Sequence, residues 1–267
     1  VEGIRFMWAA CFAASRAEMG RLRREHGCVL AHSMGLGKTL SVIAFLHTCL
    51  TCARDAEGTP YVRYRRGVAP TREAPAAALV LVPKPVLTQW GGEFRRWLGA
   101  EPGFAVRTLS MGSGTLEALR AWRGGGGVLI MTHNQFLQLL TPHRRGAGSE
   151  RALGARAGEV SELLSTTADL LVMDEAHRIK NDKSALAGAL GAVVTRRRVL
   201  LTGTPLQNNL REYYHMVSYV HPGALGRLDS FKKLFEEIIS HGSLAESGAA
   251  DGAEEREREQ RERRRRM

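Results

Sequence analysis

The sequence contains no long apolar run and little cysteine. No segment reaches the ~18 to 20 uninterrupted apolar residues of a membrane-spanning helix, and no basic region followed by an apolar stretch marks a secretory signal near Val1. Cys49 and Cys52 are separated by two residues, but no second pair or histidine cluster accompanies them, which argues against a zinc site. We therefore expect reduced thiols, an intracellular protein and no membrane partner.

Composition is that of an ordinary globular chain with a strong basic excess. Its 267 residues are 44% hydrophobic and 24% charged, which fits one α/β domain that needs neither disulfides nor metal to form a core. The formal net charge of +11 attracts polyanions, of which nucleic acid is the commonest in a cell. A gene composition that favours arginine is the alternative explanation, and charge alone does not decide between them.

Short apolar runs alternate with segments of helix length. The runs are apolar at consecutive positions, as in parallel strands that helices cover on both faces. This alternation predicts an α/β fold with an open parallel sheet and ligands at the carboxyl ends of its strands. The predicted strands are Cys28–Ala31, Ala78–Val82, Val128–Thr132, Leu170–Met173 and Arg198–Leu201, and the predicted helices are Thr39–Cys52, Val86–Leu98, Asn134–Leu140 and Lys183–Val193.

Several stretches interrupt this pattern. We predict one domain over residues 1–240, with surface insertions near 53–75 and 142–158, both rich in small and basic residues. The glycine run at 124–127 is interpreted as a flexible connector. Residues 241–267 end in a run of Glu, Arg and Gln that cannot form a core, so this tail is predicted to be disordered or a single helix.

The segment Met34-Gly35-Leu36-Gly37-Lys38-Thr39, which we call the phosphate loop, follows a strand and opens a helix. Glycines allow backbone N–H groups to approach a polyphosphate, a lysine supplies a cation, and a hydroxyl can ligate Mg²⁺. The strict pattern has a further glycine at the position of His32, so this is a variant loop. We predict nucleotide binding by Met34 to Thr39, with Lys38 catalytic and Thr39 on the metal.

The segment Asp174-Glu175-Ala176-His177, which we call the acidic motif, directly follows the apolar strand Leu170–Met173. A strand that ends in two carboxylates delivers both to the ligand edge of the sheet. Together with a phosphate loop, this arrangement predicts that Asp174 holds Mg²⁺ and that Glu175 positions and polarises the attacking water.

Leu201-Thr202-Gly203-Thr204-Pro205-Leu206-Gln207-Asn208, the coupling motif, ends another apolar strand. Its residue types do not by themselves establish a role. The three motifs, in this order, resemble motifs I, II and III of superfamily-two helicases, and within that group the Snf family of chromatin remodellers. Ala31-His32-Ser33 at the first strand and His177-Arg178-Ile179-Lys180-Asn181, which begins at the last residue of the acidic motif, are similar to the ATRX-like subgroup.

The resemblance spans Gly3 to about Phe235 and implies a RecA-like P-loop NTPase lobe, in which helices cover both faces of a parallel sheet. It implies Thr202, Gly203, Thr204 and Gln207 as residues that couple nucleotide state to shape. It also implies that Lys84, Thr88 and His133 face the backbone of double-stranded DNA. The triplet Arg196–Arg198 is expected instead at the solvent edge of a strand.

The resemblance further implies ATP and Mg²⁺ as cofactors, double-stranded DNA or chromatin as partner, and a nuclear location. The second RecA-like lobe, which supplies an arginine finger worth ~10³ to 10⁵ in rate, does not follow in this sequence. We therefore expect this chain to be the ATP-binding lobe of a DNA-dependent ATPase with very weak turnover alone, completed by a second helicase lobe from a longer form. A DNA- or partner-binding module without hydrolysis is the alternative. A phosphate-loop kinase fits poorly, because such kinases lack this acidic motif and coupling motif.

Overall fold

The structure, a computed structural model, describes residues 2–12, 27–32, 35–52, 75–141, 156–179, 184–203 and 210–235. The chain divides into two compact units, Val1–Pro222 and Gly223–Met267. Most of both predicted insertions, at 53–74 and 142–155, and the tail from residue 236 onward lie outside the described residues.

The first unit is built around a parallel sheet. The strands are β1 Cys28–Ala31, β2 Ala77–Val82, β3 Val106–Thr108, β4 Gly127–Thr132, β5 Leu170–Met173 and β6 Arg198–Thr202. They lie in the order β1-β6-β5-β2-β4-β3, and all of their pairings are parallel. Every residue of β2, β4 and β5 is buried, as expected for strands that helices cover on both faces.

Helices connect these strands and cover both faces of the sheet. The alternation of side chains along a strand divides the interior into two apolar clusters: Leu79 and Leu81 of β2 belong to one cluster, and Ala78 and Val80 to the other. The α-helices in the described part of this unit are α1 Glu2–Phe12, α2 Lys38–His47, α3 Leu87–Leu98, α4 Thr115–Gly125, α5 His133–Leu140, α6 Ala157–Thr166, α7 Ala185–Gly191 and α8 Leu210–Val220. The predicted fold class, a parallel sheet between helix layers, is confirmed.

The structure departs from the sequence interpretation at several elements. The predicted helix Thr39–Cys52 ends as an α-helix at His47 and continues as a π-helical turn over Thr48–Cys52. The glycine run is not a loop, since α4 extends to Gly125 and β4 begins at Gly127. Strand β3 and helices α1, α4, α6 and α8 were not among the predicted elements.

The second unit is described over residues 223–235. Residues 228–235 are helical, and the rings of Phe231 and Phe235, one turn apart, lie 4.7 Å from each other. Across the described parts of the chain, no helix is long and apolar enough to cross a membrane.

Candidate nucleotide site

Three predicted motifs meet where neighbouring strands end, which we call the carboxyl edge of the sheet. Ala31 of β1 pairs with Thr202 of β6, and Leu200 of β6 pairs with Met173 of β5. The phosphate loop, the coupling motif and the acidic motif therefore leave three adjacent strands on the same side. The fold brings together the segments that the sequence places far apart.

The described part of the phosphate loop has the backbone of an anion cradle. Gly35 and Gly37 have φ values of 81° and 72°, a left-handed region that favours glycine. A Cβ placed on either residue would meet nothing within 4 Å, so the space beside the loop is open. Helix α2 begins directly after Gly37 and has no side-chain cap, which leaves its first turn suited to a phosphate group.

Lys38 is the first residue of α2 and points back to the loop. Its Nζ donates a 2.6 Å hydrogen bond to the carbonyl oxygen of His32. Residue 32, where the strict pattern has glycine, thus contacts Lys38 through its main-chain carbonyl. A residue with any side chain can provide this carbonyl. The departure at His32 is compatible with a working loop.

Asp174 is held at both carboxylate oxygens. Its Oδ1 accepts a 2.9 Å hydrogen bond from the backbone N–H of Glu175, and its Oδ2 accepts a 3.0 Å bond from the indole Nε1 of Trp90. Burial raises the pKa of Asp174 above its ordinary value, while these two donors and the nearby charge of Lys38 act in the opposite direction. The carboxylate is a partly buried, oriented acceptor close to the phosphate-loop lysine.

Glu175 marks the point where the chain leaves β5. Its φ of 51° and ψ of 52° are left-handed, which no other non-glycine residue among the described ones shows. The following turn, Ala176–Arg178, places His177 Nδ1 3.1 Å from Glu175 Oε2, close enough to pair with it when the imidazole is protonated. The two consecutive carboxylates have different partners, since Asp174 accepts from Trp90 and from a backbone N–H, whereas Glu175 lies beside His177.

The donors present fit a hydrated Mg²⁺ bound with a nucleotide. Such ions take carboxylate and hydroxyl oxygens, keep several waters and share the phosphates of the nucleotide. A carboxylate at Asp174 and a hydroxyl at Thr39, beside a glycine cradle, form that donor set. No group of three or more acidic, histidine or cysteine side chains that could hold a metal occurs in the described ranges.

His133 lies beneath the surface of the carboxyl edge. It is 2% exposed, its Nδ1 lies 3.2 Å from Nη1 of Arg178, and its Nε2 has no hydrogen-bond partner among the described residues, although the backbone of Leu81 and Asp174 lies near the ring. Burial, followed by the charge of Arg178, lowers the pKa of His133 to about 4. The ring is therefore neutral at physiological pH. Its position argues against direct contact with a DNA phosphate.

The other predicted site residues lie in different environments. Lys84 and Thr88 are exposed at the start of α3, close to the carboxyl end of β2. Thr202 is buried at the end of β6 and Gly203 follows it, half-buried. Three predicted residues, Met34, Thr204 and Gln207, lie outside the described residues.

Two side chains of this region were not assigned a role from sequence. The bond from Trp90 to Asp174 joins residues 84 positions apart, which no local pattern reveals. Arg178 is exposed beside His133 and, with Asn134 and His177, borders a cavity of about 430 Å³. The basic residue directly after the acidic motif was the available signal for Arg178.

The triplet Arg196–Arg198 was expected at the solvent edge, and that prediction is wrong for two of its members. Arg197 is 4% exposed and its guanidinium lies 5.0 Å from the ring centre of Phe12. Arg198 donates to the carbonyl oxygens of Val193, Thr195 and Tyr219, each at 2.9 Å. Carbonyls at the start of β6 replace water for this guanidinium, so its role is structural.

Comparison with known proteins places these features in a family. The profile of the SNF2-related domain matches residues 3–265. Protein CHROMATIN REMODELING 20 of Arabidopsis thaliana is 38% identical over 94% of this chain and 16% of its own length, and Transcriptional regulator ATRX of Mus musculus is 33% identical over 94% of this chain and 9% of its own. The chain thus spans less than a fifth of the length of these relatives.

A solved structure has a similar fold. The Sulfolobus solfataricus SWI2/SNF2 ATPase core in complex with dsDNA aligns with a TM-score of 0.57 and 21% identity, over 90% of this chain and 39% of the solved one. The phosphate loop, acidic motif and coupling motif stand on adjacent strands of this shared fold. Together with the family profile, which covers nearly the whole sequence, they establish that the chain belongs to the SNF2-related domain family.

Proposed function

We propose that the chain is the ATP-binding lobe of a double-stranded-DNA-dependent ATPase of the chromatin-remodelling type. The observation that carries this proposal is the convergence of Lys38, Asp174 and Glu175 at one sheet edge, beside an open glycine cradle. Family membership supports the same reaction class.

The residues divide the chemistry between them. Gly35, Gly37 and the start of α2 receive the phosphates, and Lys38 exchanges its bond with the His32 carbonyl for a phosphate oxygen. Thr39 and Asp174 would hold Mg²⁺, which would neutralise charge on the phosphates. Glu175 orients and polarises the attacking water.

We propose that the segments after β6 and β2 couple nucleotide binding to DNA binding. Thr202, Gly203, Thr204 and Gln207 are proposed to report nucleotide state, because β6 lies between the strands that precede the phosphate loop and the acidic motif. Lys84 and Thr88, both exposed, are proposed to contact the DNA backbone. His133 would act indirectly, by supporting exposed Arg178.

A second RecA-like lobe is proposed to complete the site. Motors of this type use an arginine from the facing lobe, worth ~10³ to 10⁵ in rate. We propose that this lobe comes from a longer form or from another chain, and that the lobe described here binds nucleotide but turns it over very slowly alone. Chromatin as the working substrate implies a nuclear location, which imaging of a fluorescently tagged chain in its own cells would test.

The deciding experiment measures nucleotide binding and hydrolysis by the purified chain, with and without double-stranded DNA. The Lys38→Ala chain should bind nucleotide about 10- to 100-fold more weakly, since a charge-assisted bond is worth ~1.5 to 3 kcal/mol. Lys84→Ala, which removes an exposed lysine just after β2, is the matched control and should bind nucleotide normally. Equal nucleotide binding by the Lys38→Ala and unsubstituted chains would contradict the assignment. The alternative, a binding module without hydrolysis, would then be favoured by intact DNA binding.

DNA contacts are tested separately through salt dependence. Replacing Lys84 by alanine should weaken double-stranded DNA binding and reduce the slope of log affinity against log salt by about one. Arg95→Ala removes an equally exposed charge at the opposite end of α3 and should leave the slope unchanged. Identical slopes for both variants would refute a specific role for Lys84.

A further inference from the structure

The Asp174 carboxylate has a hydrogen-bond donor outside its own motif. The indole Nε1–H of Trp90, in the first half of α3, donates to Oδ2 at 3.0 Å, while the backbone of Glu175 donates to Oδ1 at 2.9 Å. The backbone donor comes with the turn itself. The indole donor is supplied by a different element and depends on one side chain.

Trp90 is well suited to hold a group in place. It is 2% exposed, and its ring lies 6.4 Å from that of Phe94, one turn further along the same helix. A buried ring in a packed interior has little rotational freedom, so its N–H points in a fixed direction before any ligand arrives.

The chemical nature of the donor is also informative. An indole N–H donates one hydrogen bond, accepts none and carries no charge. It therefore orients a carboxylate without neutralising it, unlike an arginine or lysine in the same place. A carboxylate that is fixed yet still fully negative is what a divalent cation requires of a ligand.

We propose that Trp90 is a positioning residue for Mg²⁺ binding, holding Asp174 in the orientation in which it receives the ion together with the nucleotide. This inference rests on the proposed function of Asp174 and extends it to α3. Partners that orient metal ligands from outside the coordination sphere typically change metal affinity by about 10- to 100-fold when removed.

The chain contains its own control. Trp97, on the same helix, donates its Nε1–H to Glu93 Oε2 at 2.6 Å, but it is 45% exposed. Trp90→Phe and Trp97→Phe thus remove the same kind of bond, an indole to a carboxylate, one at the acidic motif and one outside it.

The first test titrates Mg²⁺ into each chain in the presence of a fluorescent ATP analogue. Trp90→Phe should raise the Mg²⁺ concentration at half-maximal nucleotide binding about 10-fold, and leave nucleotide affinity in EDTA unchanged. Trp97→Phe should change neither quantity. An unaltered Mg²⁺ requirement in Trp90→Phe, or a loss of nucleotide affinity in EDTA as large as that in Mg²⁺, would overturn the inference about Trp90 but not the proposed function. Absence of nucleotide binding by the unsubstituted chain would overturn the proposed function as well.

A second test does not require the Trp90→Phe chain to fold. The four tryptophans give separate indole N–H signals in a ¹⁵N-labelled chain. Asp174→Ala should move the Trp90 signal to higher field, because it loses its acceptor, and Mg²⁺ with nucleotide should shift that signal in the unsubstituted chain. The Trp97 signal should respond to neither change. A Trp90 signal that is insensitive to both would overturn the inference.

Discussion

Glu175, the residue proposed to orient the attacking water, has a backbone conformation that L-residues avoid. Its φ of 51° costs about 1 to 2 kcal/mol relative to a right-handed conformation. The turn that begins there is fixed by burial of Ala176 and by continuation of the β5 ladder, in which Asp174 N–H donates to Leu81 O at 2.8 Å. The cost is thus sustained by the sheet on which the motif sits.

Replacing Glu175 by glycine should relieve this cost. We expect the free energy of unfolding to rise by about 0.5 to 1 kcal/mol, the relief being partly offset by the greater freedom of glycine in the unfolded chain. Chemical denaturation measures it. Arg95→Gly, at an exposed α3 position, should have the opposite sign, and a fall in stability for both variants would contradict the strain at Glu175.

His133 makes stability depend on pH. Because its pKa in the folded state is lowered to about 4 from an ordinary value of 6.5, the unfolded state binds the proton first as the pH falls. The contribution of neutral His133 to the free energy of unfolding is complete above pH 6.5. It is lost as the pH falls towards 4, by up to about 3 kcal/mol. The ionisable side chains that act on the ring are those of Arg178 and His177.

Across this pH range, the free energy of unfolding of the His133→Leu chain, measured by chemical denaturation, should depend less steeply on pH than that of the unsubstituted chain. His32→Gln, which removes an exposed histidine, serves as the control for the loss of one imidazole. Superimposable pH profiles for the unsubstituted and His133→Leu chains would contradict the assignment.

At the scale of elements, the junction between α4 and β4 is a tightly packed corner. A Cβ on Gly127, whose φ is 81°, would lie 2.2 Å from the carbonyl oxygen of Ala105. A Cβ on Gly124, three residues earlier within α4, would meet nothing within 4 Å. Two glycines of the same run therefore have opposite structural requirements.

These two positions give a matched pair of alanine substitutions. Gly127→Ala should lower the free energy of unfolding by about 3 kcal/mol, from the left-handed backbone and the clash together. Gly124→Ala should raise it by about 0.5 to 1 kcal/mol, because alanine is the better helix former. Similarly small changes in stability for both variants, measured by thermal unfolding, would contradict this prediction, because they would show that the backbone around Gly127 shifts to accommodate a Cβ.

Helices α4 and α6 are joined by two parallel ion pairs. Arg120 holds both carboxylate oxygens of Glu159, at 2.6 and 2.8 Å, and Arg123 lies 3.1 Å from Glu162. Arg120→Glu should reduce the melting temperature, and adding Glu159→Arg should restore it. Both effects should fade in high salt, since these groups are exposed. Failure of the double exchange to recover stability would mean that the pairs do not couple the helices.

The elements that sequence alone predicted are those with a local signal. Strands β1 and β5 have their predicted bounds, because an apolar run of buried strand length is explicit in Cys28–Ala31 and Leu170–Met173. Strand β3 has three residues, one charged and none fully buried, so no apolar run marks it. Helix α4 was concealed by its glycines, which ordinarily signal a loop but here end a helix and pass close to another backbone.

The same distinction applies to the site. The phosphate loop and acidic motif could be found because their chemistry lies in consecutive residues. The Trp90–Asp174 bond and the burial of Arg197 are products of tertiary packing, and neither residue type predicts them. The burial of His133 could not be predicted from the sequence either, because the side chain of a residue just after a strand can point inward or outward.

At the scale of the whole molecule, the excess of basic residues and the parallel sheet both lie in the first compact unit, residues 1–222. Residues 223–267 contain ten basic and ten acidic side chains, so the formal net charge of +11 resides in residues 1–222. That stretch is one compact unit and contains the complete described sheet. A chain ending at Pro222 is therefore expected to retain cooperative unfolding, nucleotide binding and salt-dependent DNA binding. A large loss of DNA affinity on this truncation would assign the contacts to the second unit.

The strand order also has a consequence for how the protein is made. Strand β1, which carries the phosphate loop, is joined to the sheet through β6, where Cys28 pairs with Val199. On the ribosome, β1 and α2 emerge early, but β1 cannot take its place until β6 has been synthesised. The nucleotide pocket is thus assembled late although its lysine is encoded early. A nascent chain arrested before residue 198 would expose Lys38 to ATP without a site to hold it.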